Sequence, residues 1–333
     1  MRSLVFALSL MVLAGCASSP VPEAPVLAQG EEASGHCRRF EIVYRAKLSA
    51  LPAGAPFRAW IPVPTSNAYQ TIGPVKIELD WKGTIEHRYT KESRWGNRVL
   101  YLEGYSDVPE GTVTLRYQVE RAERSQDLTT LPEGELGSSE RSRSLAPTSR
   151  VVVSPQIKRE AEAIAGADGS LLVAEGAYDH VAAQMIYDKT GVGWGQGDSH
   201  YACEVGKGNC TDYHAYFMAL CMARGVPTQF EIGLFGPYES RPDEVYELGG
   251  YHCWAEFWAG DWVPVDISEG DKVGIRYLGR QTPNRVTLSR GRDLVLEPAQ
   301  AGPPLNYFVD PYVEVAGAPH AGVSKQATWR DLP

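Results

Sequence analysis

The hydrophobic period of this chain changes once along its length, and that change limits what it can fold into. From residue 38 to about 119 apolar residues recur at every second position: Phe40, Ile42, Tyr44 and Ala46; Val75, Ile77, Leu79 and Trp81; Val113, Leu115, Tyr117 and Val119. Turn-forming residues fall between these runs, at 52–56, Gly96-Asn97 and 109–111. Short alternating strands with regular turns predict an all-β sandwich over residues 38–122. Pro62 and Pro64 place their segment at a sheet edge or outside the ladder, because proline has no N–H to give. Nothing nucleophilic clusters in this region, which reads as a scaffold or a rest for substrate. Residues 123–150 are polar and rich in Ser, Arg and Glu, the composition of a linker. After residue 150 the period becomes helical. Ser154-Pro155 is a cap and first-turn pair leading to Gly166, and a second helix is expected over 175–188. Helices that precede further strands make residues 151–320 an α+β domain.

The N-terminus reads as an address. Arg2 is followed by an apolar run over residues 4–13 and then by Leu13-Ala14-Gly15-Cys16. A mature membrane helix needs about 20 apolar residues, so this run is too short to span. The pattern is that of a bacterial lipoprotein signal over residues 1–16, with Cys16 the lipidated first residue of the mature chain. Ala17 follows where an aspartate would retain the protein at the inner membrane, so the expected location is the periplasm, anchored to the outer membrane. Residues 17–37, rich in Ala, Ser, Pro and Glu, cannot bury enough surface to offset their ordering entropy and form a flexible tether. The net charge of −9 argues against a nucleic-acid partner, which requires clustered Lys and Arg. With Cys16 lipidated and Cys210 assigned below, Cys37, Cys203, Cys221 and Cys253 remain, and an oxidising compartment permits one or two disulfides among them.

Chemistry concentrates after residue 206. Gly206-Lys-Gly-Asn-Cys210-Thr-Asp212 ends a loop and opens a helix that closes at Gly225-Val226-Pro227. A thiol in the first turn of a helix feels unpaired backbone N–H groups and the positive end of the dipole. With a nearby histidine, this brings a cysteine pKa from about 8.5 to roughly 3.5–7.5. The partners come from a hairpin. Residues 251–258 alternate, Ala259-Gly260-Asp261 turns, and residues 262–266 return. Pairing Trp258 with Trp262 sets Trp254 opposite Asp266 and His252 on its diagonal, with Cα atoms roughly 7 Å apart. Cys210 is then the attacking thiol, His252 its base, and Asp266 the group that fixes the imidazole tautomer. The Cys210 backbone N–H is one oxyanion donor, and Trp194, Gln184 and Gln196 are candidates for the second.

Gly-Asn-Cys210-Thr-Asp, Tyr-His252-Cys-Trp-Ala-Glu-Phe and Trp-Val-Pro-Val-Asp266 resemble the three core motifs of the bacterial transglutaminase-like superfamily. The specific match runs over residues 177–271. Trp60-Ile-Pro-Val-Pro64 is similar to the family's N-terminal β-domain, and Ser289-Arg-Gly-Arg-Asp-Leu294 to a segment that follows its core. The resemblance implies a papain-like core, with a helix bearing the thiol packed on an antiparallel sheet that carries His252 and Asp266. It also implies the Cys210–His252–Asp266 triad. Members of the family include peptidases, amidases and acyl-transfer enzymes.

Other readings of these residues are open. His214, one turn after Cys210, is an alternative base, a polar wall of the cleft or a packed helix residue. Cys203, Cys210, His214 and His252 match no common zinc spacing, and Asp266, Glu269 and Asp271 lack calcium-loop order, so no metal and no cofactor is expected. Trp254, with Trp258 and Trp262, is a candidate for lining a substrate groove, and Arg290, Arg292 and Asp293 are expected to form an ion-pair cluster. The leading function is a lipid-anchored cysteine enzyme that cleaves or transfers an acyl group from a peptide or protein amide. The alternative is a non-catalytic scaffolding lipoprotein that uses the same cleft.

Overall fold

The computed structural model describes residues 36–164 and 169–333; the signal segment, Cys16 and the tether up to residue 35 lie outside the described residues. The period-two region forms two antiparallel sheets. In one, Cys37–Leu48 lies between Gly111–Ala122 and Val323–Asp331, with Gln70–Ile72 and Lys76–Asp80 both on Gly111–Ala122 and Tyr246–Leu248 on the far side of Val323–Asp331. In the other, Pro56–Val63 lies between Arg98–Ser106 and Tyr312–Val315, flanked by Gly83–Lys91 and Ala318–Pro319. Alternation decides the packing: Phe40, Ile42, Tyr44, Ala46 and Leu48 are buried against Phe57, Ala59, Ile61, Leu100, Leu102, Val113 and Leu115.

Two expectations need correction here. The second domain does not run on to residue 320, because Tyr312–Val315 and Val323–Asp331 return to pair with Pro56–Val63 and Cys37–Leu48. Their strand periodicity is short and was indistinguishable from a C-terminal extension. Pro56–Val63 is paired on both sides only over residues 57–60, so Pro62 has one strand neighbour and Pro64 lies past the strand, as prolines with no N–H to give require. The 123–150 linker holds a helix, Ser138–Leu145, and Arg124–Ser125 pairs with Arg280–Gln281.

The helical region contains Pro155–Ala163, capped by the Ser154 hydroxyl accepting from the Ile157 N–H, then Ser170–Gln184, Ser199–Val205 and Cys210–Ala223. The second of these starts five residues earlier than the sequence suggested. Cys210–Ala223 is the centre of the domain and is buried from Cys210 through Cys221. A helix with no polar face must be covered on all sides. It packs on the other helices and on a four-stranded antiparallel sheet ordered Trp262–Val265, His252–Trp258, Thr228–Phe235 and Arg285–Arg290. Gly260 in the hairpin turn adopts φ +87°, and a Cβ there would meet the Pro132 carbonyl at 1.7 Å, so the linker lies directly on the turn.

Candidate active site

Cys210 is the first residue of its helix, held there by a capping box. The Asn209 side chain accepts from the Thr211 N–H at 2.9 Å, and Asp212 Oδ2 accepts from the Asn209 N–H at 3.0 Å. The same carboxylate also accepts from the Gly195 and Gly197 amides at 2.6 and 2.9 Å. Asp212 thereby ties the glycine-rich loop over 191–197 to the start of the nucleophile helix. A Cβ on Gly208 would lie 2.4 Å from Asp212 Oδ2, so this close approach requires glycine. Three or four first-turn amides of any helix lack intrahelical partners, and Cys210 stands among them.

The hairpin has the register expected of it. Trp258 pairs with Trp262 and Ala255 with Val265, and His252 Nε2 lies 2.8 Å from Asp266 Oδ2. Asp266 is fully buried and caps the short helix Ile267–Val273, its Oδ1 accepting from the Glu269 N–H at 3.2 Å. With Nε2 committed to the carboxylate, Nδ1 of His252 is the nitrogen left to face the thiol. Phe235 lies edge-on to the imidazole with centroids 4.7 Å apart, which holds the ring plane.

The electrostatics follow from this packing. A hydrogen bond from Cys253 and then the hydrogen bond and charge of His252 outweigh burial and bring the Cys210 thiol well below its ordinary range. Burial opposes charge on His252, but Asp266 overrides it and the imidazole is pushed up to about 9. Asp266, despite burial, is held well below the usual carboxylate range by His252 and Arg285. These directions favour a thiolate–imidazolium pair backed by a carboxylate. Cys253 is pushed well above the ordinary thiol range by burial and by the neighbouring Cys210, so it stays protonated and donates.

The structure brings Cys210, His252 and Asp266 together and sends other candidates elsewhere. His214 is not a cleft residue: it is fully buried, Nδ1 lies 2.7 Å from the Cys210 carbonyl, and Nε2 accepts from the Ile267 N–H at 3.2 Å. These bonds define a neutral Nδ1–H tautomer with both nitrogens in use, and burial lowers its basicity further. Trp254 is likewise buried and lines no groove; its indole N–H donates to Glu231 at 2.7 Å. Both corrections have one cause, since periodicity locates a face of an element but not what covers it. Trp258 and Trp262 stack edge to face at the hairpin end, and the Trp262 indole donates to Glu140 of the linker helix.

Of the oxyanion candidates, Gln184 ends its helix with an exposed side chain. The Gln196 side chain is also exposed, while its carbonyl accepts from Arg292 and Asn306. Trp194 is half-buried, next to the anchored Gly195. Cys203, Cys221 and Cys253 are free thiols, so no disulfide joins any of them. Arg290 pairs with Glu231, Arg292 bonds Asn306, and Asp293 accepts from Ser149, so these three do not form one cluster. The carboxylates considered for calcium each have a protein partner: Asp266 has His252, Glu269 has Lys272 and Asp271 has Tyr213.

Sequence reasoning missed Arg285, which donates to Asp266, and the proximity of Cys253 to the thiol. The alternation that puts His252 on one face does put Cys253 on the face toward the helix, so the second signal was present.

Comparison with known proteins agrees with this architecture. Residues 158–267 match the family model of the transglutaminase-like superfamily. An uncharacterized protein of Haemophilus influenzae is 26% identical over 302 residues, spanning 78% of this chain and 81% of its own. A candidate cysteine protease from Cytophaga hutchinsonii superposes with a TM-score of 0.59 at 15% identity, covering 90% of this chain and 92% of its own. At that identity the likeness establishes the fold. The chain thus has an α+β fold with a β-rich N-terminal region, in which residues 158–267 are similar to the transglutaminase-like superfamily.

Proposed function

We propose that this protein is a lipid-anchored periplasmic cysteine enzyme that acts on peptide or protein amide bonds through a thioester. The observation that carries the reading is Cys210 at a helix N-terminus beside an imidazole whose other nitrogen is 2.8 Å from a buried aspartate. In this scheme the Cys210 thiolate attacks the amide carbon, and the oxyanion is held by the Cys210 N–H and the Trp194 indole N–H. His252 gives its proton to the departing amine as the C–N bond breaks, leaving an acyl thioester on Cys210. Water or a second amine, deprotonated by His252, then attacks the thioester and releases the thiolate. Trp194 is preferred over Gln184 and Gln196 because its side chain is half-buried beside the anchored Gly195, whereas theirs are exposed.

The test is alkylation of the purified protein across pH, with peptide mapping and with Cys210→Ala and His252→Ala as controls. Fast labelling of Cys210 near pH 6 that moves to higher pH in His252→Ala supports the enzyme. An inert Cys210 sinks it and leaves the scaffolding role. The anchor is tested separately by metabolic labelling with a fatty-acid probe, which Cys16→Ala must abolish.

A further inference from the structure

Asp266 holds a second cation. Arg285 opens the strand Arg285–Arg290, is completely buried, and donates from Nη1 to Asp266 Oδ2 at 2.8 Å. This is the same oxygen that faces His252 Nε2 at 2.8 Å. The remaining donors clamp the guanidinium in place: Nε to the Thr282 carbonyl at 3.2 Å and Nη2 to Thr282 Oγ1 at 3.1 Å. It lies over Trp254 and Phe235, with centroids 5.0 and 5.1 Å away, and these are the two rings that flank His252. Strand register fixes the arrangement, since Arg285 pairs with Phe235.

A carboxylate oxygen shared by two cations holds each less tightly than it would hold one. Arg285 also repels positive charge on the imidazole directly, because both stand on the same atom in a site without water screening. A buried Asp–His pair alone would stabilise the imidazolium so strongly that it becomes a poor proton donor, whereas acid–base catalysis works best when the proton is only moderately held.

On the enzymatic reading above, we propose that Arg285 is a positioning residue that shares Asp266 with His252, fixing the carboxylate while loosening its hold on the imidazolium proton that the leaving group must receive. The other groups around the pair do not substitute for it. Cys210 and Cys253 carry no positive charge in either protonation state, and His214, whose Nε2 is 3.7 Å from Asp266 Oδ1, is neutral by its hydrogen bonds. Tyr178 and Tyr277 carry no positive charge, Glu269 meets Asp266 through its backbone amide, and Glu231 is paired with Arg290 and reaches the site only through Trp254. Among the described residues Arg285 is the permanent cation in contact with this aspartate.

The experiment is a histidine NMR titration of the full protein, with His252 assigned by His252→Gln. In Arg285→Gln, which keeps a hydrogen-bond donor but removes the charge, the His252 acid constant should fall at least about tenfold, the size expected of one nearby charge at an effective dielectric near 20. In Arg285→Lys it should stay closer to wild type than in Arg285→Gln. A His252 titration in Arg285→Gln that is unmoved, or that moves to lower pH, overturns the assignment. Where that variant does not fold, the wild type decides: the buried Arg285 guanidinium resonance must shift as His252 titrates, and one that does not move overturns it. Loss of Cys210 alkylation in the wild type would instead remove the enzymatic reading, a result distinct from either titration.

Discussion

The strand His252–Trp258 has two buried faces built on opposite principles. Toward the nucleophile helix it presents Cys253, Ala255 and Phe257, all fully buried, with Phe257 edge-on to Phe217 at 6.3 Å. Toward the linker and sandwich it presents His252, Trp254 and Glu256, also buried and each bonded to a charged group: Asp266, Glu231 and Arg124 respectively. Apolar packing has no preferred partner, so that face needs only volume and shape. The polar face needs every partner, because one unpaired buried charge costs more than the pair contributes. Most of the specific geometry, and with it the His252–Asp266 pair, therefore sits on the polar face, while the apolar face supplies cohesion and, through Cys253 alone, a hydrogen bond to the Cys210 thiol.

The sharpest test of this division is at the site. His252→Ala should slow alkylation of Cys210 at pH 6 by about tenfold or more, with the rate recovering as pH approaches the ordinary thiol range, as stopped-flow labelling would show. An unchanged rate would mean that the polar face does not poise the thiol. Next in size, Arg124→Met should destabilise the fold by about 3–5 kcal/mol, because it strands Glu256 beside Gln229 alone. Adding Glu256→Leu should recover most of that loss in denaturant titrations, and failure to recover would break the comparison.

The two paired groups give the pH dependence of stability opposite signs. His252 is raised from its ordinary 6.5 to about 9, so its contribution is fully present below about 6.5 and is lost as pH rises through about 9. The lowered thiol of Cys210 acts in the opposite sense, its contribution being lost as pH falls through its depressed value. Between about 6.5 and 9 the two slopes offset, so the thermal midpoint of the wild type should stay nearly flat there, and Cys210→Ala should unmask the decline due to His252 in calorimetry. The smallest effect belongs to the other face: Phe257→Leu should cost under about 1.5 kcal/mol and leave Cys210 labelling unchanged. A large loss of labelling there would show that the two faces are not separable.

Much of this was legible before the structure. Two-residue alternation located three sandwich strands (Cys37–Leu48, Lys76–Asp80 and Gly111–Ala122), Asn209 and Gly225-Val226-Pro227 bounded the nucleophile helix, and the three-residue turn set the register that carries His252 to Asp266. What was not legible depends on partners distant in the chain. Arg285 is 19 residues from Asp266 and its strand pairs with Thr228–Phe235, so no local pattern points to the contact. His214 and Trp254 were read as cleft residues because a polar or aromatic side chain near a nucleophile looks the same in sequence whether water or Ile267 and Glu231 meet it.

The sequence by itself determined the elements and the neighbours within them, since helix caps, turn lengths and side-chain period act over a few residues and are written locally. Only the tertiary structure decided which face of each element is covered and by what. It closed the sandwich with residues 312–331, buried Arg124 against Glu256, and gave Asp266 two cations. Those outcomes depend on burying surface and pairing charge across the whole molecule, and such terms exist only once distant segments meet.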